Sequence, residues 1–218
     1  IQDLSNSGSQ PMHSWDKRFV LSFNGEIYNH KNLRSIIKDY PFKGTSDTET
    51  LVALISTIGL KNTLEKVSGM FAFALWDSFE KKLYLARDLA GEKPLYYSIK
   101  KNYLIFGSEI KPLKLDPQFN SKISKSALHN YFKFGYVQDS TCIFSDVKKI
   151  KPGTYQIFSL EKNILHKLDE ISFYKLSDEN CSFFKNKSII NYQDLFEKLI
   201  FESVESQLLS DAPIGLFL

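Results

Sequence analysis

The chain has 218 residues, 43% of them hydrophobic and 24% charged, the balance of an ordinary globular protein, and its 18 Phe, 11 Tyr and 2 Trp can fill a core large enough to argue against disorder. No apolar run approaches the ~18 residues that cross a bilayer, and a net charge of +3 is too weak to point to nucleic acid. Two cysteines, Cys142 and Cys181, cannot build a disulfide framework or a four-ligand zinc site, so a reducing, cytoplasmic compartment is expected.

Residues 1–17 are polar and read as a loop around Ser5-Asn6-Ser7-Gly8-Ser9-Gln10-Pro11. Arg18–Phe23 is a β-rich run that should stop at a turn on Asn24-Gly25 and resume over Glu26–Asn29. Helical spacing of Leu33, Ile36 and Ile37 predicts a helix over Asn29–Asp39. A second helix is predicted over Asp47–Ile58, capped by Ser46 or Asp47, with Glu49 in its positive first turn and Gly59 at its end. Met70–Trp76 is apolar on both faces, the pattern of a covered central strand. Leu83–Ala86, Leu95–Ile99 and Tyr103–Phe106 follow with tight links and predict an antiparallel meander. A helix over Lys125–Phe134 and a strand over Thr154–Phe158 come next.

Residues 161–190 are rich in lysine and asparagine, with little periodicity, and read as a linker. Tyr192–Leu209 is helical in pattern, Asp211-Ala212-Pro213 breaks it, and Ile214–Leu218 is a short apolar strand. Helix then strand suggests the first unit of an α/β domain. The chain opens on Ile1 rather than Met and ends in an apolar run, so both ends are expected to be cuts.

Several residues invite a chemical reading, each beside a plainer one. Asn24 offers amide N–H donors and Gly25 lets a backbone N–H approach a ligand, which together would form an oxyanion hole; Glu26 would then hold an amide or ammonium. The same triplet would also make an ordinary hairpin turn. Asp47 can bind an amino group or simply cap a helix. The stretch Arg87–Leu95 is either a binding loop or a structural loop tied by ion pairs. His13, His30, His129 and His166 lack the mutual spacing of metal ligands, so no metal site is expected. Neither Cys142, expected to be half buried, nor Cys181 has a base nearby in sequence. No glycine-rich phosphate loop is present.

The motifs taken in order are more specific than any one of them. Asp3-Leu4-Ser5, Gly8-Ser9-Gln10-Pro11-Met12, Phe23-Asn24-Gly25-Glu26-Ile27-Tyr28-Asn29, Ser46-Asp47-Thr48-Glu49, Gly69–Asp77, Ala86-Arg87-Asp88, Gly91–Tyr97 and Phe106-Gly107-Ser108-Glu109-Ile110-Lys111 resemble the class II glutamine amidotransferase domain of glutamine-hydrolysing asparagine synthetases. The tail Leu209–Leu218 is similar to the opening of the synthetase domain, just before its Ser-Gly-Gly-x-Asp-Ser nucleotide loop.

The resemblance implies an α+β, four-layer αββα N-terminal-nucleophile hydrolase sandwich of two antiparallel sheets. It places a glutaminase domain at 1–160, a linker at 161–190 and the first helix and strand of an α/β ATP-pyrophosphatase-type synthetase domain at 191–218. It implies that an N-terminal cysteine attacks the glutamine amide, and that ammonia passes to a second site where ATP, with Mg2+, activates aspartate. Asn24 and Gly25 would be the oxyanion hole. Ile1, Gln2, Asn24, Gly25, Glu26 and Asp47 would bind glutamine, with Asp47 on the α-ammonium, and Leu218 would touch the nucleotide. The nucleophile and the substrate-carboxylate arginine are expected before Ile1, so the fragment by itself is expected to be inactive. A homodimer is implied, and neither nucleic acid nor a membrane is expected as partner. Two further readings stand beside this one: transfer to another carboxylate acceptor such as a surface-polysaccharide sugar, and a non-catalytic scaffold module.

Overall fold

The computed structural model describes residue 3 and residues 5–139, 141–161, 164–174, 189–209, 213 and 215. In chain order the strands are β1 (Met12–His13), β2 (Phe19–Ile27), β3 (Gly69–Asp77), β4 (Lys82–Arg87), β5 (Tyr96–Ile99), β6 (Leu104–Gly107), β7 (Lys148–Lys149), β8 (Thr154–Glu161) and β9 (Ile164–Ser172). The helices are α1 (His30–Ile36), α2 (Asp47–Ile58), α3 (Leu60–Leu64), α4 (Ile110–Leu113), α5 (Lys125–Phe134) and α6 (Ile189–Gln207). Among the described residues the strands form two antiparallel sheets. The larger runs β1-β2-β3-β4-β8-β9 and the smaller β6-β5-β7.

Side-chain alternation decides the layering. On β2, Phe19, Leu21, Phe23 and Ile27 are buried and pack with Leu51, Leu54 and Ile55 of α2 and with Phe71, Phe73 and Leu75 of β3. The opposite face of the large sheet contributes Ala72, Ala74, Leu85 and Phe158, which meet Leu95, Tyr97 and Ile150 from the small sheet and its flanks. The outer side of the small sheet packs Tyr96 and Ile105 against Leu113 of α4, Cys142 and Val147. Helix, sheet, sheet and helix are therefore stacked in that order. Residues 71–75 of β3 are all buried because both faces of a central strand are covered. α2 begins where Ser46 accepts the Glu49 N–H at 3.1 Å and ends at Gly59, whose φ is 81°, the expected pairing of a hydroxyl cap with a terminal glycine.

Three sequence expectations are corrected. Asn24-Gly25 is not a turn: β2 runs straight through it, Asn24 opposite Ala72 and Gly25 opposite Phe71. The glycine instead permits close approach, since a Cβ there would lie 2.1 Å from the Met70 carbonyl oxygen. The meander is not one sheet: after β4 the chain crosses to the small sheet, and β8 returns later to pair with β4. Finally, the segment read as a linker from 161 begins with β9, which pairs along β8 from Thr154↔Ser172 to Glu161↔Ile164. Its exposed lysines and acids suit a sheet edge, and that polar composition hides the strand from a periodicity reading. Cys181 and Ile214, Leu216, Phe217 and Leu218 of the proposed terminal strand lie outside the described residues.

Candidate active site

The sequence-predicted residues gather at one end of β2. Successive side chains on a strand point to opposite faces. Phe23 and Ile27 face α2, so Asn24 and Glu26 share the other face, toward the second sheet. The Asn24 side chain is exposed there, and its Nδ2 donates to Ser108 Oγ at 2.9 Å.

Asp47 reaches the same end of the strand from the first turn of α2. Ser46, not Asp47, caps the helix. Asp47 Oδ2 accepts the Ile27 N–H at 2.8 Å and Oδ1 accepts the Thr48 N–H at 2.7 Å. The residue is 4% exposed. Burial pushes its carboxyl above the usual carboxylate range against those two N–H donors, and the charge of Glu26 pushes in the same direction. Asp47 and Glu26 thus lie close enough for their charges to interact, near an amide donor, and these groups are chemically suited to a ligand bearing an ammonium and a polar carbonyl.

The strand end is held tightly. Gly69 opposes Ile27, and a Cβ on Gly69 would come within 2.1 Å of the Glu26 carbonyl oxygen. Just beyond, the Tyr28 N–H donates to Ser68 O at 2.8 Å, and Asn29 bridges to the backbone of Lys66 and Ser68.

The charged loop after β4 is tied into the fold by bonds that include longer-range ones than local ion pairs. Arg87 is buried; its Nε donates to Lys93 O at 2.7 Å and its Nη1 to Ile150 O at 3.0 Å and to Asp139 Oδ2 at 2.7 Å, and a further bond goes to Gly91 O. The Asp88 carboxylate accepts the N–H groups of Phe71, Glu92 and Lys93. Together they lock the crossing between the sheets.

Cys142 is buried rather than half buried, and burial pushes its thiol up, opposite to what an activated nucleophile needs. Among the described residues no group of three or more His, Cys, Asp or Glu side chains is placed to hold a metal ion. Ile1, Gln2 and Leu218 lie outside the described residues. Two sizeable cavities are elsewhere: one of about 820 Å³ includes Tyr28, Gly69, Glu92 and Leu199, and one of about 910 Å³ includes Trp15, Tyr40 and Lys43. Neither contains Asn24, Gly25, Glu26 or Asp47, and size alone is weaker ground than convergent polar chemistry. Sequence reasoning had no role for Ser108, although it quoted its motif; the pairing with Asn24 spans 84 positions and has no local signal.

Residues 1–168 match the family model described as a glutamine amidotransferase domain. Asparagine synthetase [glutamine-hydrolyzing] 1 of Bacillus subtilis is 34% identical over 220 residues, covering 100% of this chain and 33% of that protein. Asparagine synthetase [glutamine-hydrolyzing] 2 of the same organism is 34% identical over 231 residues, covering 100% of this chain and 30% of that protein. The chain thus spans about a third of the length of these curated relatives. Among solved structures, the glutamine phosphoribosylpyrophosphate amidotransferase of B. subtilis matches 80% of this chain and 34% of its own, with a TM-score of 0.55 and 18% identity, a likeness of fold. The matched family model, over most of the length, shows that the chain belongs to the glutamine amidotransferase domain family.

Proposed function

We propose that the chain is the glutaminase part of an ATP-dependent asparagine synthetase, releasing ammonia from glutamine for transfer to aspartate. The observation that carries this reading is the convergence of Asn24, Glu26 and Asp47 at one end of β2, in a chain 34% identical to two glutamine-hydrolysing asparagine synthetases. The ionised Asp47 would hold the glutamine α-ammonium, with Glu26 beside it. As a nucleophile attacks the side-chain amide, its carbonyl oxygen becomes an oxyanion. The Asn24 amide and the Gly25 N–H would stabilise that charge, a contribution present only in the transition state. Ile1 and Gln2 would complete the glutamine pocket.

ATP and aspartate would be substrates of the remaining part of the longer enzyme, with Leu218 beside the nucleotide. The Mg2+ expected with ATP would likewise belong to that remaining part; among the described residues no group of three or more His, Cys, Asp or Glu side chains is placed to hold a metal ion. A cytoplasmic homodimer is proposed on family resemblance.

The test uses the longer enzyme. Asn24→Ala should lower glutamine hydrolysis by about 10²–10³ while sparing ammonia-dependent synthesis; equal loss of both activities would refute the oxyanion assignment. Aspartate-dependent exchange of pyrophosphate into ATP should be observed, and its absence would refute aspartate as acceptor.

A further inference from the structure

We infer that Ser108 is a positioning residue for the oxyanion hole: its hydroxyl pins the Asn24 carboxamide so that the second amide N–H is presented to the reacting carbonyl. This rests on the glutaminase reading of the site.

The torsion that orients an asparagine amide plane is broad, so the plane is set by its partners rather than by its own rotamer. The amide carries two N–H donors. One is engaged by Ser108 Oγ at 2.9 Å, which fixes the direction of the other.

Both ends of this bond are held by rigid elements from different sheets. Asn24 lies inside β2, paired to Ala72 of β3. Ser108 follows Gly107, the last residue of β6, which pairs with Tyr96 of β5. Two residues later α4 begins, anchored by Leu113, which is 3% exposed and packed with Tyr96 and Ile105. A serine on this short span has little freedom to follow a wandering amide. The bond also crosses between the sheets at the rim, so it registers the small sheet on the catalytic strand.

A positioning hydroxyl should matter less than the donor it positions. Removing Asn24 removes an oxyanion donor outright, whereas removing Ser108 leaves the donor but frees its orientation. The loss is bounded by the net worth of one neutral hydrogen bond, about 3- to 10-fold in rate. Because the oxyanion exists only in the transition state, the loss should fall on kcat and leave KM for glutamine unchanged.

The experiment compares Ser108→Ala, Ser108→Thr, Asn24→Ala and the Asn24→Ala/Ser108→Ala double variant in the longer enzyme. Glutamine hydrolysis and ammonia-dependent synthesis are measured on each preparation. Ser108→Ala should lose about 3- to 10-fold in kcat for glutamine hydrolysis with KM and ammonia-dependent synthesis unchanged. Ser108→Thr, which keeps the hydroxyl, should restore kcat. The double variant should be no slower than Asn24→Ala alone, since a positioned group that is absent cannot be mispositioned.

Wild-type kcat in Ser108→Ala would overturn the inference. So would a loss confined to KM, a parallel loss of ammonia-dependent synthesis, no rescue by threonine, or a double variant whose losses multiply. If Asn24→Ala itself hydrolyses glutamine normally, the oxyanion reading of the site falls, and the Ser108 inference falls with it. A defective Asn24→Ala beside a normal Ser108→Ala would overturn only the role of Ser108.

Discussion

Gly69→Ala tests how closely β2 and β3 must approach for the site to exist. An added Cβ would sit 2.1 Å from the Glu26 carbonyl oxygen and 2.9 Å from the Ile27 Cα, both backbone. Contacts under 3.0 Å essentially never occur, and no flexible side chain is there to yield. β3 must therefore retreat from β2 by about 0.9 Å, the shortfall of the 2.1 Å contact from the 3.0 Å limit. A ladder bond of ~2.9 Å stretched that far reaches ~3.8 Å, beyond useful hydrogen-bond range. Two such bonds at this end of the ladder, at about 1 kcal/mol each with some desolvation penalty, give a loss of about 2–3 kcal/mol. For a domain of this size that is about 5–10 °C in Tm. Thermal unfolding followed by circular dichroism reads it directly. The same retreat displaces the carbonyl of Glu26, so in the longer enzyme KM for glutamine should rise as well. A Gly69→Ala chain whose stability changes by less than about 0.5 kcal/mol, within ordinary surface variation, would refute the reasoning, because the backbone would then have room that the strand pairing denies it.

Arg87→Lys keeps the charge but loses the planar fork that serves acceptors on several sides at once. At least two of the carbonyls of Lys93, Gly91 and Ile150, the first two part-buried and the last buried, would lose their donor, a cost of about 1–3 kcal/mol measurable by urea denaturation; unchanged stability would mean that a single ammonium suffices. Glutamine use should also fall as pH drops through the Asp47 titration. That carboxyl titrates above its ordinary 3.8, first because it is buried, and only its ionised form attracts an ammonium. KM for glutamine should therefore rise on acidification at a pH above that ordinary value, and Asp47→Asn should show a high KM with this acid limb gone; an acid limb that survives the substitution would assign it to another group.

What was legible in the sequence was what has a local cause. α2 appears over the expected span because its cap, apolar stripe and terminal glycine lie within one stretch of chain. β3 was legible because a strand covered on both faces reads as an unbroken apolar run. The Asn24-Gly25 pair misled for the opposite reason. Its glycine serves a partner strand more than forty positions away, and nothing local separates a glycine chosen for a turn from one chosen for close approach. β9 stayed hidden because an edge strand exposed on its outer side has no apolar period to display. The division into two sheets came from the family resemblance alone, since no local period marks where the chain leaves one sheet for the other. Asn24, Gly25, Glu26 and Asp47 entered as candidates on residue type, and only the ordered series of motifs raised them above ordinary turn and cap residues.

Asp47 shows why fold and chemistry are hard to separate here. Its carboxylate already accepts N–H groups from Ile27 and Thr48, tying the end of β2 to the start of α2. The Thr48 hydroxyl adds a longer third contact at 3.4 Å; an ionised carboxylate has about four lone-pair sites, so capacity remains for a ligand without breaking a tie. The same burial that makes the tie strong raises the carboxyl's pKa and makes an incoming ammonium more welcome, since a paired charge in a low-dielectric pocket is far better than a lone one. Glu26, one residue before the tied Ile27, adds like charge that an incoming cation would offset. The contacts that hold strand and helix together also fix Asp47 in place for a ligand, at the first helical position beside the Ser46 cap, which leaves the capping to Ser46.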